Sequence, residues 1–285
     1  MNIVHLISLT DSYDAIMGTL DLSKHLIRSG HRSIIASVRD LTSLAYDTSG
    51  VVLEALVPSG RGRWQFHRHY HAIRKIIKQN NIEIIHAHSP VMSWIALFAA
   101  RAEGVPFVTT CHDFYTRNFF HESLVLGKCV IVHHEAMGWY LAEKFRVSYQ
   151  SLRFIRQSID LDTFEFRSPD TRSKTDFVIA LTLPLRPSAG YETFLTGMVK
   201  ATRIIPNMKI LIADNLPQSQ YQYKKDLVLF IRGLGLSRYF DFFNASRLDL
   251  SIAARCNIVV VPCSKEAACT RPLLEAFAYG TPVIA

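Results

Sequence analysis

The chain has 285 residues, 49% hydrophobic and 20% charged, a balance that excludes a disordered or low-complexity protein and suits about two globular domains. Lys and Arg number 32 against 24 Asp and Glu, so the net charge of +8 favours phosphates or an anionic membrane surface as partners. No apolar run reaches the roughly 18 residues that span a bilayer, and Met1 to Leu9 carries no basic leader, so a cytoplasmic protein is expected.

Short β-rich apolar runs alternate with helical patterns along the whole chain, which predicts parallel sheets built from strand-helix-strand units. Strands are expected at Ile3–Ser8, Ser33–Ser37, Val51–Leu56, Ile82–His86, Phe107–Thr110, Cys129–His133 and Leu152–Ile155. Helices are expected at Thr19–Arg28, His67–Gln79, Pro90–Ala102 and Glu135–Phe145. Gly30 stands where a C-terminal cap follows the first helix, and Gly104-Val-Pro106 closes the third. One doubly wound domain over residues 1–165 accounts for this half.

Within it, Arg61 to Lys78 holds six basic residues and no acidic one, interleaved with Trp64, Phe66, Tyr70 and three histidines. The segment reads either as a solvated basic helix face or as a surface for anionic lipid or a phosphorylated acceptor. His67, His69 and His71 are spaced by two, which on a helix turns successive rings about 200° apart. A joint metal site is therefore not expected there.

Residues 166–176 contain one large apolar side chain among turn formers and read as a linker. A second domain is expected over 177–285, with strands near Phe177–Leu183, Lys209–Ala213, Phe240–Asn244, Asn257–Val261 and Pro282–Ala285. Its helices are expected near Tyr191–Ile204, Gln218–Leu234, Ser251–Arg255 and Pro272–Tyr279. Residues 166–285 carry 15 basic and 9 acidic residues, against 17 and 15 before them, so +6 of the net +8 lies here. That excess suits a half that meets phosphates. The last strand looks fully buried, yet nothing follows to cover it, so this domain is expected to be incomplete. The five cysteines have no Cys-x-x-Cys spacing, which argues against a disulfide framework or a zinc site built on thiols.

Several segments together resemble GT-B glycosyltransferases of family 4, in the flavour of lipopolysaccharide-core transferases. They are Thr19-Leu-Asp-Leu-Ser-Lys-His-Leu-Ile-Arg-Ser-Gly-His, Glu83-Ile-Ile-His-Ala-His-Ser, Val105-Pro-Phe-Val-Thr-Thr-Cys-His-Asp, Ser158-Ile-Asp-Leu-Asp-Thr-Phe and Pro272-Leu-Leu-Glu-Ala-Phe-Ala-Tyr-Gly-Thr-Pro. The resemblance implies a GT-B fold of two Rossmann-like domains, the second truncated, and a retaining transfer of sugar from a nucleotide-sugar to a lipopolysaccharide or polysaccharide acceptor. It implies no metal and no cofactor beyond a UDP- or GDP-sugar co-substrate. The acceptor would be lipid-linked or a polysaccharide, with peripheral contact at the inner face of the cytoplasmic membrane and no nucleic-acid partner.

Site residues follow from the same resemblance. Glu275 would hold the ribose diol, since a carboxylate accepts two hydrogen bonds from vicinal hydroxyls. His112, at the carboxyl edge of a strand, would lie near the donor sugar as the catalytic histidine. Cys269, Thr270 and Arg271 would offer helix-start N–H groups to the diphosphate, with Arg271 adding a cation. Three departures stand beside these. Only Gly18 remains of a glycine pair that lets backbone approach the donor. The usual Arg and Lys places fall at Pro184 and Ala189, with Arg186 as the nearby substitute. The first carboxylate place falls at Ala267, with Glu266 one residue early. A degenerate, non-catalytic binding partner and a GT-B nucleotide-sugar epimerase are the alternative readings.

Overall fold

The computed structural model describes the chain apart from residues 9–10, 39, 42–47, 49, 57–62, 169–175, 184, 186, 214–220, 244–250 and 263–269. The described residues form two units, one drawn from the chain up to Ser158 and the other from Ile159 onward.

The first unit holds strands β1 (Asn2–Ile7), β2 (Arg32–Ser37), β3 (Val52–Ala55), β4 (Ile84–Ala87), β5 (Phe107–Cys111), β6 (Val130–Val132) and β7 (Leu152–Phe154). Their order is β3-β2-β1-β4-β5-β6-β7, and every neighbouring pair is parallel. Strand order reverses beside β1, the crevice where open α/β sheets take ligands. Helices α1 (Tyr13–Arg28), α2 (Arg63–Asn80), α3 (Pro90–Glu103) and α4 (Glu135–Phe145) make the crossovers.

Val4, Leu6, Ile34, Ala36, Ile85 and Ala87 join Ile73 and Ile77 of α2 and Met92 and Ile95 of α3 in one buried apolar cluster. Because strand side chains alternate, His5 and His86 then point to the opposite face. There Thr19 of α1 brings its hydroxyl 3.3 Å from each ring nitrogen of His88.

The first helix begins six residues before the expected Thr19. Ser12 caps it, its hydroxyl accepting the Ala15 N–H at 3.2 Å. Gly18 consequently lies in the second turn of α1 rather than in a donor-facing loop, and its amide belongs to the helical ladder. This corrects the expectation that Gly18 opens backbone to a donor.

The second unit repeats the plan with β8 (Phe177–Leu181), β9 (Met208–Ala213), β10 (Phe240–Phe243), β11 (Ile258–Val260) and β12 (Val283–Ile284). These pair in parallel in the order β10-β9-β8-β11-β12. Helices α5 (Tyr191–Ile204), α6 (Tyr221–Gly233), α7 (Ser251–Arg255) and α8 (Thr270–Ala278) connect them. Ile179, Leu181, Ile210, Ile212 and Val259 form the core with Leu195, Leu227 and Ile231.

One glycine is sterically required where the loop after β8 meets the segment after β11. Gly190 has φ +77°, and a Cβ there would collide with the Pro262 carbonyl. Tyr191 anchors the same turn by donating its hydroxyl to the Leu183 carbonyl at 2.6 Å. The expected linker also starts as packed chain. Arg167 N–H donates to the Tyr279 carbonyl at 3.2 Å, and Phe166 packs against Gly280. Among the described residues, no helix is long and apolar enough to cross a membrane.

Candidate functional site

Strand alternation in the first unit gathers histidines from four strands. His5 pairs in register with His86, and His86 with Val108, so residues two further on, His88 and Thr110, share the same face. One more step along β5 and β6 brings His112 and His133 to the carboxyl edge. His5, His86 and His88 are buried, while His112 and His133 are half-buried.

Four of the rings form a hydrogen-bonded chain. His133 Nδ1 meets the Ile155 carbonyl at 2.9 Å, and His133 Nε2 meets His112 Nδ1 at 3.3 Å. His112 Nε2 then meets His88 Nδ1 at 3.1 Å, and His88 Nε2 approaches His5 Nδ1 at 3.4 Å. His86 stands beside the chain, with Nε2 2.7 Å from the Thr110 hydroxyl.

The direction of the chain follows from its end. A carbonyl only accepts, so His133 carries its proton on Nδ1 and its lone pair on Nε2. His112 must therefore donate through Nδ1, and His88 through its own Nδ1. Each ring is held neutral. Burial lowers His5 to about 4, and burial with the neighbouring His133 lowers His112 to about 3. His86 and His88 are pushed well below the ordinary value, first by burial and then by the adjacent rings. His133 is lowered by burial, with its bond to Ile155 opposing.

Both ring nitrogens of His112 are thus engaged by other histidines. It sits at the carboxyl edge, as the resemblance implied, but it presents no spare N–H to a sugar in this arrangement. A donation to substrate would require the His112–His133 bond to open. His5 and His133 were missed from sequence, since His5 is a single histidine in an apolar strand and His133 only opens a His-His pair beside another. The His-x-His spacing of His86 and His88 was the visible signal, because a spacing of two puts both on one face of a strand.

In the second unit, Arg271 and Glu275 come together on α8. Arg271 Nε–H donates to Glu275 Oε1 at 2.6 Å, with Arg271 fully buried and Glu275 6% exposed. Glu275 lies in the second turn, not at the helix start, and one of its oxygens already serves the guanidinium. Thr270 is the first residue of α8. Arg186, Glu266 and Cys269 lie outside the described residues, as do Pro184 and Ala267. Ala189 is 2% exposed within the apolar core, so the place implied for a cationic side chain is lined instead by a buried methyl.

The profile of Glycosyltransferase Family 4 matches residues 17–163, just over half the chain. This chain belongs to family 4. Among solved structures, a likeness of fold extends over essentially the whole chain. The Anabaena HepE protein in complex with UDP and glucose is 16% identical with a TM-score of 0.79, covering 100% of this chain and 80% of that one. Sucrose-phosphate synthase from Thermosynechococcus elongatus is 17% identical with a TM-score of 0.78, over 100% and 81%. The lipopolysaccharide outer core galactosyltransferase WaaB in its apo form is 11% identical with a TM-score of 0.64, over 99% and 80%. At these identities the likeness is one of fold, and it establishes the GT-B architecture for this family 4 chain. No curated protein matches the sequence.

The neutral histidines make stability depend on pH. Their folded values lie below the unfolded value of about 6.5, so below that pH the unfolded chain binds more protons and stability falls as pH falls. Each fully buried ring contributes up to about 1.4 kcal/mol per pH unit between about 6.5 and its folded value. Urea midpoints measured from pH 7.5 to 5 are expected to drop steadily; a flat profile contradicts a neutral buried cluster.

The Arg271–Glu275 pair yields a second expectation. Glu275→Ala strips a buried guanidinium of its carboxylate and should cost about 3–5 kcal/mol, whereas Glu275→Gln, which keeps an acceptor, should cost less. Denaturant unfolding of the two variants measures the difference.

Proposed function

We propose that this family 4 chain transfers a sugar from a UDP- or GDP-sugar, with retention of configuration, to a lipid-linked or polysaccharide acceptor of the cell envelope. The observation that carries the reading is the buried Arg271–Glu275 pair on the first two turns of α8. A guanidinium four residues before a carboxylate, beyond the carboxyl end of β11, combines a cation for the diphosphate with an acceptor for the ribose diol. The HepE structure contains UDP and glucose on the same fold. In this reading the transfer uses side chains and helix N–H groups rather than a resident cofactor, as charge develops on the leaving diphosphate.

The acceptor reading rests on the surface of α2 and α3, since the fold is shared with a sucrose-phosphate synthase as well as with a lipopolysaccharide galactosyltransferase. Trp94 stacks with Phe119 at 5.2 Å and with Phe98 at 6.2 Å, and Phe98 meets Phe66 edge-on at 5.8 Å. Trp64 and Phe119 are 79% and 80% exposed. Beside them Arg68 and Lys75 face solvent, while Arg74 and Lys78 pair with Glu103 of α3. Exposed aromatics beside exposed cations suit the interface of an anionic membrane, so the enzyme would work on the inner face of the cytoplasmic membrane.

A second reading, a binder without turnover, is favoured by Ala189 in the core, Gly18 in a helix and His112 with both nitrogens engaged. Calorimetric titration with UDP and GDP, followed by a turnover assay with UDP- and GDP-sugars, separates the two. Binding with turnover is expected; binding alone selects the second reading. No binding by folded protein removes both.

The membrane contact is tested by sedimentation with vesicles containing acidic lipid. Binding should weaken as ionic strength rises toward 0.5 M, because the screening length shrinks from about 8 Å at 0.15 M. Trp64→Ala with Arg68→Ala and Lys75→Ala should abolish it. Binding that ignores both salt and these substitutions contradicts the assignment of this surface.

A further inference from the structure

The histidine chain leaves one place where the hydrogen bonding does not close. His88 donates through Nδ1 to His112, so its Nε2 lone pair is turned toward His5. The His5 ring is fully buried, its Nε2 has no hydrogen-bond partner, and its Nδ1 has only the 3.4 Å approach to His88 Nε2. That separation is long for a hydrogen bond between nitrogens. It is, however, close to the span of about 3.3 Å between two imidazole nitrogens on one tetrahedral zinc with bonds of about 2.0–2.1 Å.

His86 completes the arrangement. One ring nitrogen from each of His5, His86 and His88 lies within 4.8 Å of the other two, a group found among the described residues. The ring centroids are 5.1 Å apart for His5 and His86, 5.7 Å for His5 and His88, and 4.1 Å for His86 and His88. Two of the ligands stand on paired residues of neighbouring strands, β1 and β4, and the third lies two residues beyond His86, so the backbone that presents them is rigid.

We propose that His5, His86 and His88 form a binding site for one divalent transition-metal ion of zinc type. The inference stands apart from the sugar-transfer reading. Three neutral imidazoles are the donor set that borderline cations such as Zn²⁺ prefer over Mg²⁺ or Ca²⁺, which seek oxygen. Burial keeps the rings deprotonated, as metal binding requires. The ion would replace the long His5–His88 approach with a bond to His5 Nδ1, the proton of that ring then lying on Nε2. Through His88 it would also hold the His88–His112 bond, since metal-bound imidazole donates more strongly through its other nitrogen. Its place is thus structural, fixing the carboxyl edge of four strands.

A second histidine pair must be removed before testing. On α2, His67 Nε2 and His71 Nε2 lie 3.0 Å apart on the exposed face, one helical turn from each other. Such an i, i+4 pair binds zinc weakly by itself. The chain bearing His67→Ala and His71→Ala is therefore stripped with chelator, dialysed against Zn²⁺ and passed through metal-free buffer. Elemental analysis is expected to find zinc and protein in equal amounts, and His5→Gln in the same background should lose it. Zinc-edge absorption on the loaded protein should count three imidazole nitrogens at about 2.0–2.1 Å. That spectrum decides the matter even where His5→Gln does not fold. Failure to retain zinc, retention undiminished in folded His5→Gln, or fewer than three imidazole ligands would overturn the site.

Discussion

In a parallel sheet, directly paired residues turn their side chains to the same face, and the pairing of His5 with His86 sets the character of the first unit. A slip of one residue between β1 and β4 would send one of these rings into the apolar cluster around Leu6 and Ile85. The register is held because that opposite face is buried against α2 and α3, where every polar intrusion is costly. The hydrophobic face thereby guarantees the polar one. On the His5 face, α1 buries Ile16, Met17 and Leu20 and sets the Thr19 hydroxyl against the ring of His88.

Polarity along that row comes from outside it. The Ile155 carbonyl accepts and cannot donate, so it dictates the tautomer of His133, and the constraint passes through His112 to His88. Four strands contribute to a single directional chain. The cost of burying so many ring nitrogens is offset where each is bonded, and it remains concentrated at His5, where the chain ends. The residue that the resemblance marks as catalytic, His112, is in the middle of this chain and so is positioned by its neighbours as firmly as by its own backbone.

The second unit solves a different problem with fewer residues. Arg271 is fully buried in a nine-residue helix, and its charge is matched by Glu275 one turn later. A charged pair of this kind bears on stability, because a carboxylate that serves a buried guanidinium cannot be deleted without leaving that charge stranded. Gly190 applies a steric constraint to the same sheet, holding the loop after β8 against the Pro262 carbonyl.

The alternation of apolar strands and helices was legible in the sequence, and α4, α5 and α7 begin and end on the residues that their patterns predicted. Local signals suffice for that, since periodicity and helix-ending glycines act within a few residues. The start of α1 was not legible, because Ser12 as a cap competes with the reading of Gly18 as a loop glycine. His112 at a strand end and Glu275 on a short helix could be placed from sequence by family resemblance. Their partners could not. Whether His112 has a spare nitrogen, and whether Glu275 is solvated or paired with Arg271, depends on groups brought together by strand pairing and helix packing. His5 shows the division most clearly. As a sequence it is one histidine in an apolar run, and only the register of β1 against β4, 81 residues further on, gives it two histidine neighbours.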